Sequence, residues 1–113
     1  MFLTILQYIA CGFTILVGAY SLFAPASAGK FTGLTPEGGR GITEIRAVLG
    51  MFFVALGVFP ILFPNEAAFQ MLGFAYLLVG AARLISIFVD RSSNQSNWIS
   101  VVSEFVLGAI LFL

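Results

Sequence analysis

The sequence predicts an all-α fold, an integral membrane four-helix bundle running up-down-up-down, and three observations carry that prediction. The first is composition. Hydrophobic residues make up 60% of the chain and charged residues only 9%, with a mean hydropathy of +1.08. Soluble domains hold roughly 45–50% apolar and about 25% charged residues, so apolar surface on this scale needs a membrane. The second is segment length: apolar residues gather at about 2–23, 42–63, 67–89 and 98–113, and about 20 residues cross a hydrocarbon core. The third is connection. Short turns make successive helices antiparallel. A chain of 113 residues leaves room for one such domain, 1–113.

Taken in order, segment 2–23 contains no charged residue and is followed by Ala26-Ser27-Ala28-Gly29, which has the small-residue form of a signal-peptidase site. No basic residue precedes the segment, and it is longer than the about 7–15 apolar residues of a signal peptide's core, so a retained membrane helix is expected. Residues 24–41 form a loop rich in Gly, Pro, Ala and Thr. Within it Thr35-Pro36-Glu37 offers a capping hydroxyl, a proline for the first helical position and an acid for the first turn. A short turn of helix is predicted there, lying at the membrane surface. Segment 42–63 ends at the tight turn Pro64-Asn65-Glu66, and 67–89 ends at the polar run DRSSNQSN, residues 90–97. The fourth segment, 98–113, is shorter than the others.

Basic residues set the orientation. In an even-numbered bundle loops 24–41 and 90–97 share one side, which holds Lys30, Arg40 and Arg91, with Arg46 and Arg83 nearest to it. The positive-inside rule makes that side cytoplasmic and both termini noncytoplasmic. The zero net charge and the lack of a basic tract argue against nucleic acid as a partner. Histidine is absent, which removes the commonest ligand of zinc, copper and haem. The single cysteine, Cys11, lies in an apolar run and reads as a small buried hydrophobe. No metal and no cofactor is expected, and membrane lipids are the partners the composition requires.

A second pattern repeats at heptad spacing. Gln7, Cys11, Thr14, Gly18 and Ser21 fall in one line, as do Arg46, Gly50, Phe53, Gly57 and Pro60. Phe69, Gly73, Tyr76, Gly80, Arg83 and Ile87 form a third line, and Asn97, Val101, Glu104, Gly108 and Leu111 a fourth. Helices in lipid associate by close packing over small residues and by interhelical hydrogen bonds, so these lines are expected inside the bundle. The faces rich in Phe, Leu, Ile and Val are expected to meet lipid.

Glu44, Arg46, Arg83 and Glu104 stand out against this apolar background. At 1.5 Å per residue, Arg83 lies about 10 Å inward from Asp90, Glu104 about 10 Å inward from Asn97, and Arg46 about 7 Å inward from Gly41. All belong to one leaflet, and their charges sum to zero. A lone charge at a helix centre costs roughly 2.5–3.5 kcal/mol on the insertion scale. Pairing across helices is therefore expected, as an Arg46, Arg83 and Glu104 cluster with Glu44 reaching an adjacent group. The cluster reads either as a polar clasp fixing helix register or as the polar end of a ligand cavity. Tyr76, one heptad before Arg83, adds a hydroxyl on an apolar body to the second reading.

The run Gly41-Ile42-Thr43-Glu44-Ile45-Arg46-Ala47-Val48-Leu49-Gly50, followed by Gly80-Ala81-Ala82-Arg83 with Asp90 and by Glu104, resembles small bacterial four-helix membrane proteins grouped as domain of unknown function 4345. The resemblance covers nearly the whole chain. More loosely, the chain is similar to DoxX-like four-helix proteins, some of which accompany quinone-linked redox complexes. These resemblances imply the fold and a place in the bacterial inner (cytoplasmic) membrane, and no catalytic residue.

Two functional classes then stand ahead of the rest. One is a nonenzymatic accessory subunit of a larger membrane complex, or a binder of an amphipathic ligand such as a lipid or quinone. The alternative is a transporter or channel for protons or small solutes, which the shallow neutral cluster and the glycine-packed lines disfavour. An enzyme is not expected, because no nucleophile and base pair, metal constellation, phosphate loop or cofactor motif is present.

Overall fold

The computed structural model describes residues 1–113, and every regular element in it is helical. Helix α1 spans Phe2–Phe23, α2 Pro25–Thr32, α3 Gly38–Glu44, α4 Phe52–Leu62, α5 Glu66–Val89 and α6 Gln95–Phe112. A π-turn, Ile45–Met51, joins α3 to α4, so Gly38–Leu62 runs as one helical stretch. That stretch, together with α1, α5 and α6, is long and apolar enough to cross a membrane. These four correspond to the four segments read from the sequence.

Local chemistry sets the boundaries. Helix α5 starts at Glu66 because the Asn65 side chain accepts the Ala68 N–H at 2.9 Å. Asn94 does the same for α6, accepting the Asn97 N–H at 2.9 Å. Helix α6 therefore begins at Gln95, inside the polar run taken as loop, rather than at 98. At the end of α5 the Ser92 N–H reaches back to the Ile87 carbonyl at 3.0 Å, while Arg91 takes a left-handed φ of 51°. This is the helix closure that glycine usually supplies.

The helical turn expected at Thr35-Pro36-Glu37 lies elsewhere. Pro25, not Pro36, occupies the start of the extra helix α2, and Gly33 closes it at φ 82° by donating to the Gly29 carbonyl. Residues 34–37 are extended or irregular, and α3 begins at Gly38 with no side-chain cap. Gly38, at a left-handed φ of 63°, separates Pro36 from α3, and Gly41 packs against Pro36, where a methyl group would stand 2.9 Å from its Cα.

The helices fall into two compact units, Tyr8–Phe63 on the one hand and Met1–Gln7 with Pro64–Leu113 on the other. In the first, α1 and the Gly50–Gly57 stretch run antiparallel with backbones nearly touching. A methyl group on Gly57 would lie 2.6 Å from the Cys11 carbonyl, and one on Gly18 would lie 2.6 Å from that of Gly50. In the second unit α5 and α6 are likewise antiparallel: a methyl on Gly73 would meet the Phe112 nitrogen at 2.7 Å, and one on Gly80 the Glu104 Cβ at 3.3 Å. Small residues thus allow the close backbone approach on which association in lipid depends. Gln7 and Gln70 donate to the Ile110 and Phe112 carbonyls, at 3.1 and 3.5 Å, serving two acceptors that the end of α6 leaves without helical partners.

Most of the heptad lines are buried. Cys11, Thr14, Gly18 and Ser21 are, as are Gly50, Gly57 and Pro60, Phe69, Gly73, Gly80 and Ile87, and Val101, Glu104, Gly108 and Leu111. Arg46 departs from its line and is exposed.

Candidate functional site

The polar site of the α5–α6 unit is built on Glu104. Its residue is only 9% exposed, and a carboxylate so placed needs a cation and hydrogen bonds to stay charged. Arg83 supplies both. Its Nε donates to Oε1 at 2.9 Å and its Nη2 to Oε2 at 2.9 Å, a two-pronged contact across the helix pair. Its Nη1 donates to the Asn97 Oδ1 at 3.1 Å, and the Asn97 amide in turn donates to the Ser92 carbonyl at 2.9 Å. No buried side-chain nitrogen or oxygen in the chain lacks a partner.

The turn between the helices holds this knot in place. Ser92 is fixed by its bond to Ile87, Asn97 by its bond to the capping Asn94, and Trp98 by donating its indole N–H to the Ser93 hydroxyl at 2.9 Å. Trp98 also stands edge-on to Phe88, ring centres 6.1 Å apart. A half-exposed tryptophan at this level is the kind of side chain that settles at a membrane–water boundary. Beside the knot lies an open groove of about 360 Å³, lined by Val79, Ala82, Arg83, Ser86 and Asn97. The bonds to Glu104 and Asn97 occupy three of the five guanidinium N–H donors, which leaves two without a partner in the chain.

The expected four-member cluster is thus corrected. Arg83 and Glu104 come together as anticipated, but Glu44 and Arg46 are exposed. Glu44 pairs with Arg40 one turn earlier on its own helix, both side chains more than half exposed. Such a pair contributes about 0.3–0.5 kcal/mol. The Arg46 side chain makes no hydrogen bond or ion pair within the chain. The physical cause is the π-turn. Phe52 donates its N–H to the Ala47 carbonyl, five residues back instead of four, so the buried positions Ile45 and Gly50 are five apart. On an unbroken α-helix the residue in line with Gly50 would have been Arg46, four positions before it.

Tyr76 is half-buried on α5 and is not among the residues lining the groove. Asn97 is the member that the sequence reading did not count as a site residue. Its signal was present, since it stands one heptad before Glu104 on the same line. Nowhere do three His, Cys, Asp or Glu side chains gather as a metal-binding group, so what the arrangement offers chemically is hydrogen-bond donation from a neutralised guanidinium.

The family described as domain of unknown function DUF4345 matches residues 2–113. No curated protein and no solved structure matches the chain.

Proposed function

We propose that this chain, which belongs to the DUF4345 family, is a nonenzymatic protein of the bacterial inner membrane that seats the head group of an amphipathic ligand, a lipid or quinone. The observation that carries the reading is the groove at Arg83, which the polar Arg83, Ser86 and Asn97 line together with the apolar Val79 and Ala82. Glu104 already neutralises the guanidinium, so the groove offers hydrogen bonds without net charge. That suits a head group with uncharged acceptor oxygens, such as a quinone carbonyl, joined to an apolar tail. Holding such a ligand for a larger membrane complex is the accessory role consistent with a chain that carries little mass outside its helices. Orientation follows the basic residues: both termini are noncytoplasmic, and a reporter after Leu113 that reads cytoplasmic would overturn this.

Native mass spectrometry from mild detergent tests the ligand reading. The wild type should carry one quinone or lipid per chain. Ala82→Phe, at an exposed position on the groove wall, should lose it while melting like the wild type. A wild type without a stoichiometric ligand, or an Ala82→Phe variant that keeps it, refutes the proposal.

A further inference from the structure

We infer that Arg46 binds the phosphate of an anionic membrane phospholipid, at a site separate from the Arg83 groove. The chain's arginines differ in how they are compensated. Arg40 has Glu44 and Arg83 has Glu104, whereas Arg46 and Arg91 are exposed and have no acceptor in the chain; of these two only Arg46 lies within a helix long and apolar enough to cross a membrane, Arg91 being in the turn after α5. It stands at the border of an uncharged run, Ala47–Asn65. The helical part of that run, Ala47–Leu62, extends about 24 Å against a hydrocarbon core of about 30 Å. Arg46 therefore sits just inside the edge of the core, where a guanidinium without a counter-charge is costly and its long side chain reaches back to the head groups.

The π-turn decides which way this cation faces. With Ile45 and Gly50 buried five residues apart, the turn takes Arg46 off the packed line and presents it on the outer face of the helix. Helix α2 packs against the same turn and carries a second exposed cation, Lys30, which has no acidic partner either. A planar guanidinium donates two parallel N–H bonds to a phosphodiester. The lipid around this helix supplies that group at the required depth.

The test is native mass spectrometry of purified protein in neutral detergent, titrated with phosphatidylglycerol or phosphatidylcholine. The wild type should retain phosphatidylglycerol in preference to phosphatidylcholine. Arg46→Gln should retain about fivefold less, equivalent to the about 1 kcal/mol of a basic side chain at an anionic surface. Arg91→Gln, which removes an exposed cation from the α5–α6 turn, should bind as the wild type does. Retention unchanged in Arg46→Gln, or an equal loss in Arg91→Gln, would overturn the proposal. Should Arg46→Gln not fold, a photoactivatable phosphatidylglycerol on the wild type gives the answer: cross-links concentrated in residues 42–50 support the site, and their absence there refutes it. Inorganic phosphate at millimolar concentration, added to the phosphatidylglycerol titration, should not compete. Effective competition would mean a free-anion site and would refute the lipid assignment.

Discussion

Replacing Glu104 by leucine should destabilise the protein more than replacing Glu104 and Arg83 together. In the single variant the guanidinium loses the partner of both its shortest bonds, at 2.9 Å, and keeps only Asn97. Removing one member of a buried pair costs about 3–5 kcal/mol. The Arg83 side chain is 34% exposed and can lean into the groove, which places Glu104→Leu near the lower end, about 3 kcal/mol. Arg83→Leu should cost more, since the Glu104 side chain left behind is only 11% exposed. In the double variant two apolar side chains meet, and the one loss is the Asn97 acceptor's bond, about 1 kcal/mol. The double should therefore lie about 2 kcal/mol above Glu104→Leu, and further above Arg83→Leu. Melting curves in one detergent for the wild type, both singles and the double measure this. If the singles melt like the wild type, or the double equals their sum, the pair is independently solvated and the reasoning fails.

Three further outcomes follow from the backbone. Gly57→Ala and Gly73→Ala should each lower the melting temperature, because the added methyl meets backbone atoms at 2.6 and 2.7 Å, whereas Gly12→Ala has nothing within 4 Å and should stabilise α1 by up to about 1 kcal/mol; equal effects would refute the packing. Arg91→Gly should raise stability by about 1 kcal/mol by relieving the left-handed φ of 51°, while Arg91→Ala should bring no gain in the same thermal melt. Deleting Val48 should be tolerated, because it leaves Ile45 and Gly50 four apart, on one face of an α-helix. Deleting Ala55, also exposed, takes Gly50 and Gly57 out of line, so the yield of monodisperse protein should fall much further than for the Val48 deletion.

Sequence periodicity located the packed faces because glycine, serine and cysteine recur at seven-residue intervals only where helices must approach closely. Cys11, Gly18, Gly73 and Gly108 are buried for that reason. The pairing of Arg83 with Glu104 was legible for a related reason: opposite charges at the same depth on two packed lines have few other places to go. Arg46 was misplaced because counting by sevens assumes an unbroken α-helix. Nothing in Ile45-Arg46-Ala47-Val48-Leu49-Gly50-Met51 marks a five-residue hydrogen bond. The choice of Pro25 over Pro36 as a helix start was hidden for a different reason. Both prolines satisfy the local rule, and what separates Pro36 from α3 is the left-handed φ of 63° at Gly38, which a glycine permits but does not announce.

Packing and the polar knot are linked through Gly80. It lies one helical turn before Arg83 on α5, and the α6 atom that a methyl group at this position would meet first is the Cβ of Glu104, at 3.3 Å. Absence of a side chain there brings the α6 backbone close enough for Arg83 to approach Glu104 side-on, through Nε and Nη2. This side-on approach leaves Nη1 to bond Asn97, which links the pair to the turn held by Ser92. The glycine line and the ion pair are therefore one device. The line fixes the distance between helices, and at that distance Nε and Nη2 serve the carboxylate and Nη1 serves Asn97, each Nη keeping one N–H.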